Sequence, residues 1–114
     1  MRLKSAIWVA AYIRRCQTEG IFAAVRRHGA DEAGAIFIKV NRLDGNADLY
    51  GPAPQATFDE AQPAGRAFTP VLKTQPAPEV DVEAFLTRET RFDPDVWIVE
   101  TEERNGRHLL DLAR

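Results

Sequence analysis

Two histidines, one cysteine and a short run of carboxylates are the residues of this chain whose types could carry chemistry. Imidazole is the usual acid–base group near neutral pH. His28 follows Arg26-Arg27 at a turn, and His108 sits just past another turn, facing Glu103. A solvated turn residue is the plainer reading of each, since a general base must also meet its proton in a pocket. Cys16 lies among Arg14, Arg15 and Glu19, and nearby cations lower a thiol pKa. A lone cysteine inside a helix reads more simply as a small buried hydrophobe. Asp93 and Asp95 bracket Pro94, with Glu100 further along. Carboxylates at such a junction can hold a divalent cation or form an acid–base pair. Asp-Pro-Asp is equally ordinary turn chemistry, and a cation needs more oxygens than these. No metal and no cofactor is assigned.

The remaining candidates are cations. Arg14, Arg15, Arg26 and Arg27 form two pairs in a basic first part of the chain. Residues 1–43 carry eight basic and three acidic side chains, and residues 44–114 carry seven and fourteen. The two parts can neutralise each other by packing together, or the arginines can form a basic surface for a protein partner or a small anionic ligand. The acidic second part argues against nucleic acid, and no RNA-recognition signature interleaves the cations with aromatics. Dinucleotide, Walker and zinc-protease patterns and the nucleophile elbow are all missing.

These residues must be positioned by a single domain of 114 residues, long enough for one core without staples. One cysteine excludes an intramolecular disulfide and suits a reducing cytoplasm. The start, Met1 to Cys16, has the outline of a signal peptide. Its apolar run from Ala6 to Ile13 is too short to span a bilayer and ends in Arg14-Arg15 instead of small residues. It reads as a buried helix capped by Ser5 and running to about Thr18, with Ile7, Trp8, Ala11 and Tyr12 inward and Gly20 as its C′ residue. An alternative makes Lys4–Ala11 a strand and carries a helix to His28. Gly20 and the β-favouring Ile21-Phe22 tilt against it.

The organising stretch is Ile21 to Gly51, two linked hairpins that supply three neighbouring strands. HGADEAG joins the first pair by a long loop. Asp44-Gly45 predicts a two-residue type I′ turn that sets Val40 against Leu49 and Lys39 against Tyr50. In that register Ile36, Ile38 and Val40 face the core, and Lys39, Asn41 and Asp48 lie on a partly wet face. Six of seven prolines fall in residues 52–78. That segment allows only a short edge strand near Ala67-Phe68-Thr69, with Phe58 also pinned to the domain. A second helix runs from about Asp81 to Phe92, with Val82, Phe85, Leu86 and Phe92 inward and Pro94 ending it. Val96 to Val99 reads as a buried strand. Asn105-Gly106 predicts a last hairpin, with Leu110 opposite Thr101 and Leu112 opposite Val99.

Three stretches of the chain carry a family resemblance. They are Ala6-Ile7-Trp8-Val9 with Tyr12-Ile13-Arg14-Arg15-Cys16, then Gly34-Ala35 leading into Lys39-Val40-Asn41-Arg42-Leu43-Asp44-Gly45, and Phe92-Asp93-Pro94-Asp95-Val96-Trp97. On these residues the chain resembles a small alphaproteobacterial family catalogued as domain of unknown function fourteen-ninety-one. The match spans almost the whole chain, least well in the proline-rich middle. The resemblance implies a bacterial cytoplasmic protein and brings no catalytic residues with it.

The expectation is a two-layer α+β domain with two helices and a mainly antiparallel sheet of four to six strands. Its leading function is a non-enzymatic interaction module using the arginine surface, with residues 52–78 as a cover, or an exposed sheet edge. A sheet edge also admits a homodimer. The second reading is a small enzyme using Asp93, Asp95, Glu100 or His108, which requires these side chains to converge in one pocket. The third is nucleic-acid binding.

Overall fold

A computed structural model of the chain describes residues 3–54 and 66–113. Helix α1 (Ser5–Thr18) is followed by β1 (Phe22–Arg27), β2 (Ile36–Asn41) and β3 (Asn46–Pro52). Then come β4 (Phe68–Pro70), β5 (Ala77–Pro78), helix α2 (Glu79–Phe92) and β6 (Trp97–Glu102). The strands form one sheet in the order β1-β6-β2-β3-β4, and β5 also pairs with β3. All pairings are antiparallel except β2 with β6. The class is therefore α+β, with two helices on a mainly antiparallel sheet. Among the described residues no helix is long and apolar enough to cross a membrane. The anchoring expected of Phe58 falls outside the described residues.

The helices take opposite faces. Ile36, Ile38 and Val40 pack with Val9, Tyr12 and Cys16 of α1. Phe37 and Leu49 pack with Val82 and Leu86 of α2. Successive strand residues point to opposite faces, so β2, apolar at four of its six positions, needs cover on both. The layering is thus helix, sheet, helix, where a two-layer arrangement would leave one face wet.

The first expected hairpin is split. β1 and β2 do run antiparallel, but β6 lies between them and pairs with both. The eight-residue loop 28–35 makes this possible, because two strand spacings are only about 10 Å. It wraps the start of β6: Ala30 N donates to Asp95 O, Trp97 N to Ala35 O and Trp97 Nε1 to Ala30 O. The same loop caps α1, with Ser5 N donating to Glu32 O and Ala6 N to Asp31 O. Ser5 is consequently the first helical residue and not the cap, and its buried hydroxyl donates to Gly34 O at 2.6 Å.

The β2–β3 hairpin forms one residue out of the expected register. Lys39 pairs with Leu49 and Ile38 with Tyr50. The turn has three residues, since Arg42 N donates to Asn46 O, and both Leu43 and Gly45 adopt positive φ. Asn41 Oδ1 accepts from Leu43 N and holds that conformation. A one-residue slip exchanges faces. Asp48 and Tyr50 therefore lie on the α1 side, while Lys39 keeps the face opposite Ile38, which α2 covers and buries instead of leaving wet.

The final hairpin does not form, because both sides of β6 are already occupied. Residues after Glu102 turn away and reach β4, where Phe68 N donates to Asp111 O and Leu112 bridges Phe68. Two apolar assignments on the helices also change. Ile7 is exposed while Val9 is buried, and Phe92, at the last turn of α2, is 87% exposed. Phe92→Ser is therefore expected to change unfolding free energy by less than about 0.5 kcal/mol in denaturant titration. A loss of several times that would put the ring back in the core.

Candidate functional site

Two constructions stand out. The first is an ionic cluster between α2 and the sheet. Lys39, with 2% of its side chain exposed, donates through Nζ to Glu79 Oε2 at 2.6 Å and Glu83 Oε2 at 2.5 Å, with Glu100 Oε1 at 3.6 Å. Arg26 grips Glu83 with two hydrogen bonds of 2.7 and 2.8 Å and reaches Glu100 at 3.0 Å. Asn41 Nδ2 bridges Glu79 and Glu100. Glu79 and Glu83 are one helical turn apart and so share a face of α2. Burial disfavours the Lys39 ammonium, but its bonds to Glu79 and Glu83 outweigh that and raise its pKa. Such a lysine stays charged, which suits an anchor and not a nucleophile. The two differently charged parts of the chain thus meet here, and Arg107 adds another link by pairing with Glu19.

The second construction is the β1 edge. β1 is an outer strand paired only with β6, so along its other side alternate backbone N–H and C=O groups face outward. Phe22 is 59% exposed and Val25 41%. A groove follows this edge on each face of the sheet. Towards α1, Ala6, Ala10, Ile13, Arg14, Val25 and Trp97 line a cavity of about 440 Å³. Residues 6, 10, 13 and 17 recur at helical spacing and give α1 a largely small, apolar flank. Towards α2, Arg26, Arg27, Glu83, Thr87, Thr90 and Ile98 line one of about 200 Å³. A bulge between Val25 and Arg27 turns both arginines to this second face.

The structure distributes the arginines accordingly. Arg14 is exposed at the rim of the α1 groove, and its guanidinium has no hydrogen bond or ion pair among the described residues. Arg26 belongs to the ionic cluster. Arg27 donates from Nη2 to Pro94 O, while its Nε is buried without a partner. Arg15 lies apart, donating to Leu109 O beside a third cavity of about 250 Å³ between α1 and the C-terminal segment.

The acidic candidates do not converge. Asp93 Oδ1 accepts from Asp95 N in a local turn, and Glu100 joins Lys39 and Arg26. His108 packs on Tyr50, accepts from Leu110 N, and has its pKa lowered by burial, with Asp48 opposing. His28 is exposed, packs its ring at a tilt on Trp97 and pairs with Asp31. Cys16 is fully buried, and burial raises its thiol pKa, as for a hydrophobe. Among the described residues no group of His, Cys, Asp and Glu has the arrangement of a metal site.

Fold and site together define a small open-sheet α+β protein with one bare edge strand flanked by grooves. The chain matches the model of the family described as protein of unknown function DUF1491 over residues 3–111, and it belongs to that family. It is similar to a crystal structure of a DUF1491 family protein from Caulobacter crescentus, 40% identical, with 96% of this chain and 94% of that one covered and a TM-score of 0.76. It is likewise similar to the solution structure of a protein from A. tumefaciens, 44% identical, with 98% and 95% covered and a TM-score of 0.80. No curated protein matches the chain.

Proposed function

We propose that this protein is a binding module that takes an extended protein segment by strand addition along β1. The observation that carries this reading is the pair of grooves, one above and one below the same open edge. In strand addition, backbone hydrogen bonds supply affinity, and pockets for alternate side chains supply selectivity. An added strand sends successive side chains to opposite faces, and here each face has a recess to receive them. Three of the four arginines that make up the basic surface, Arg14, Arg26 and Arg27, line these recesses. The scattering of Asp93, Asp95, Glu100 and His108 favours binding over catalysis as the reading to test first.

The test is selection of binders from a displayed library of random heptapeptides, followed by amide shift mapping of the isotope-labelled protein with the recovered peptide. Shifts are expected at Phe22–Val25 and along Ala10–Arg14, with slowed exchange of the outward-facing β1 amides. Shifts confined to Leu109–Asp111, beside the third cavity, would sink the reading.

A further inference from the structure

Resting on the strand-addition reading, we infer that the partner is an acidic extended segment carrying one bulky apolar anchor. The anchor follows from the larger groove. Its floor and walls are Val9, Ala10, Ile13, Val25 and Trp97, and Val25 leaves much of its side chain uncovered there. Small residues on the α1 flank leave room for a branched or aromatic side chain to enter beside the helix.

The acids follow from the cations around it. A strand residue next to the anchor points to the opposite face, into the groove of Arg27, Thr87 and Thr90. There Arg27, whose Nε is buried and whose Nη2 is held by Pro94 O, has Nη1 without an acceptor among the described residues, and the Thr87 hydroxyl can also donate. A residue two positions from the anchor returns to the α1 face, about 7 Å along the strand, where Arg14 stands unpaired at the rim. Acids at both places meet cations; lysines would meet like charge. A second copy of this chain fits less well, because its own edge would bring Arg27 and Arg14 towards the same cations.

The heptapeptide selection separates this inference from the reading beneath it. Recovered sequences should share an apolar residue with Asp or Glu at the adjacent and next-but-one positions. Arg27→Gln should weaken a recovered peptide about tenfold, as for a charged hydrogen bond in a half-buried site, and Arg14→Ala about threefold, as for an exposed pair. Because Arg27 also holds Pro94 O, the unaltered protein provides an independent check: affinity should fall steadily as salt is raised from about 0.05 to 0.5 M. Peptides that map to β1 but lack acids, or bind independently of salt, would overturn the inference and leave strand addition standing. An absence of β1 binders would overturn both. A concentration-dependent dimer in sedimentation that protects the β1 amides would name a second copy as the occupant and overturn the acidic segment.

Discussion

Lys39→Met is expected to lower stability by about 3 kcal/mol at pH 7, because removing one partner of a buried ionic cluster leaves the others uncompensated. Methionine matches the length of the aliphatic stem, so the loss measures charge more than volume. Without the ammonium, Glu79, Glu83 and Glu100 converge on an apolar thioether, with Arg26 the single cation left in the cluster. The figure sits at the low end of the usual range, since Glu79 and Glu83 are partly open to water. The pH dependence separates charge from packing. In the unaltered protein the Glu83 carboxyl is lowered from 4.5 to about 2, first by its hydrogen bonds to Arg26, with burial opposing and Lys39 assisting. A depressed carboxylate pKa contributes stability that is full above 4.5 and is lost as pH falls towards 2. In the variant Arg26 still lowers the Glu83 carboxyl but Lys39 no longer assists, so less of this acid-labile stability is there to be lost. Denaturant titrations should therefore show the gap between the two proteins narrowing as pH falls from 4.5 towards 2. A gap of constant size would mean that lost packing, not charge, explains the cost.

The elements of this fold were largely legible, while their neighbours in the sheet were not. Period, caps and breakers are local signals. They place α1 up to Gly20, α2 up to Pro94, the strand at Val96 to Val99 and the short edge strand at Phe68 close to where they stand. Insertion of β6 between β1 and β2 depends on a parallel pairing with a strand some sixty residues away, for which no local pattern exists. The β2–β3 register turned on whether Asp44-Gly45 makes a two- or three-residue loop. A leucine at positive φ, held by the Asn41 side chain, decided it. The ionic cluster was missed for a different reason: Lys39 keeps the face opposite Ile38 that alternation gives it, but α2 covers that face instead of leaving it wet. Its signal was present in Glu79 and Glu83, a charged pair on the buried side of an otherwise apolar helix stripe. The arginines were legible as cations, but only the opposite placement of α1 and α2 turns three of them into groove residues beside one strand edge.

Gly29→Ala should cost about 3 kcal/mol, the upper part of what overpacking usually reaches, although it adds a single methyl group. Loop 28–35 crosses the start of β6 so closely that a Cβ at Gly29 would run into the Asp95 carbonyl oxygen and stand 2.6 Å from both Trp97 Cδ1 and Val96 C. Two of those three neighbours are backbone and cannot rotate away. Gly20→Ala is the control: its Cβ meets nothing within 4 Å, so only the positive φ is penalised, at about 1 kcal/mol. Amide exchange gives the loss a location. Ser5 N and Ala6 N donate to Glu32 O and Asp31 O of the same loop, so lifting the loop off β6 should expose the first turn of α1 before the sheet opens. Equal costs for the two alanine variants, or unchanged exchange at Ser5 and Ala6, would show that the loop does not hold the helix. If it does, the loop also fixes how far α1 stands from β1. A Gly29→Ala protein that remains folded should then lose affinity for β1-binding peptides without any change in a residue lining the groove.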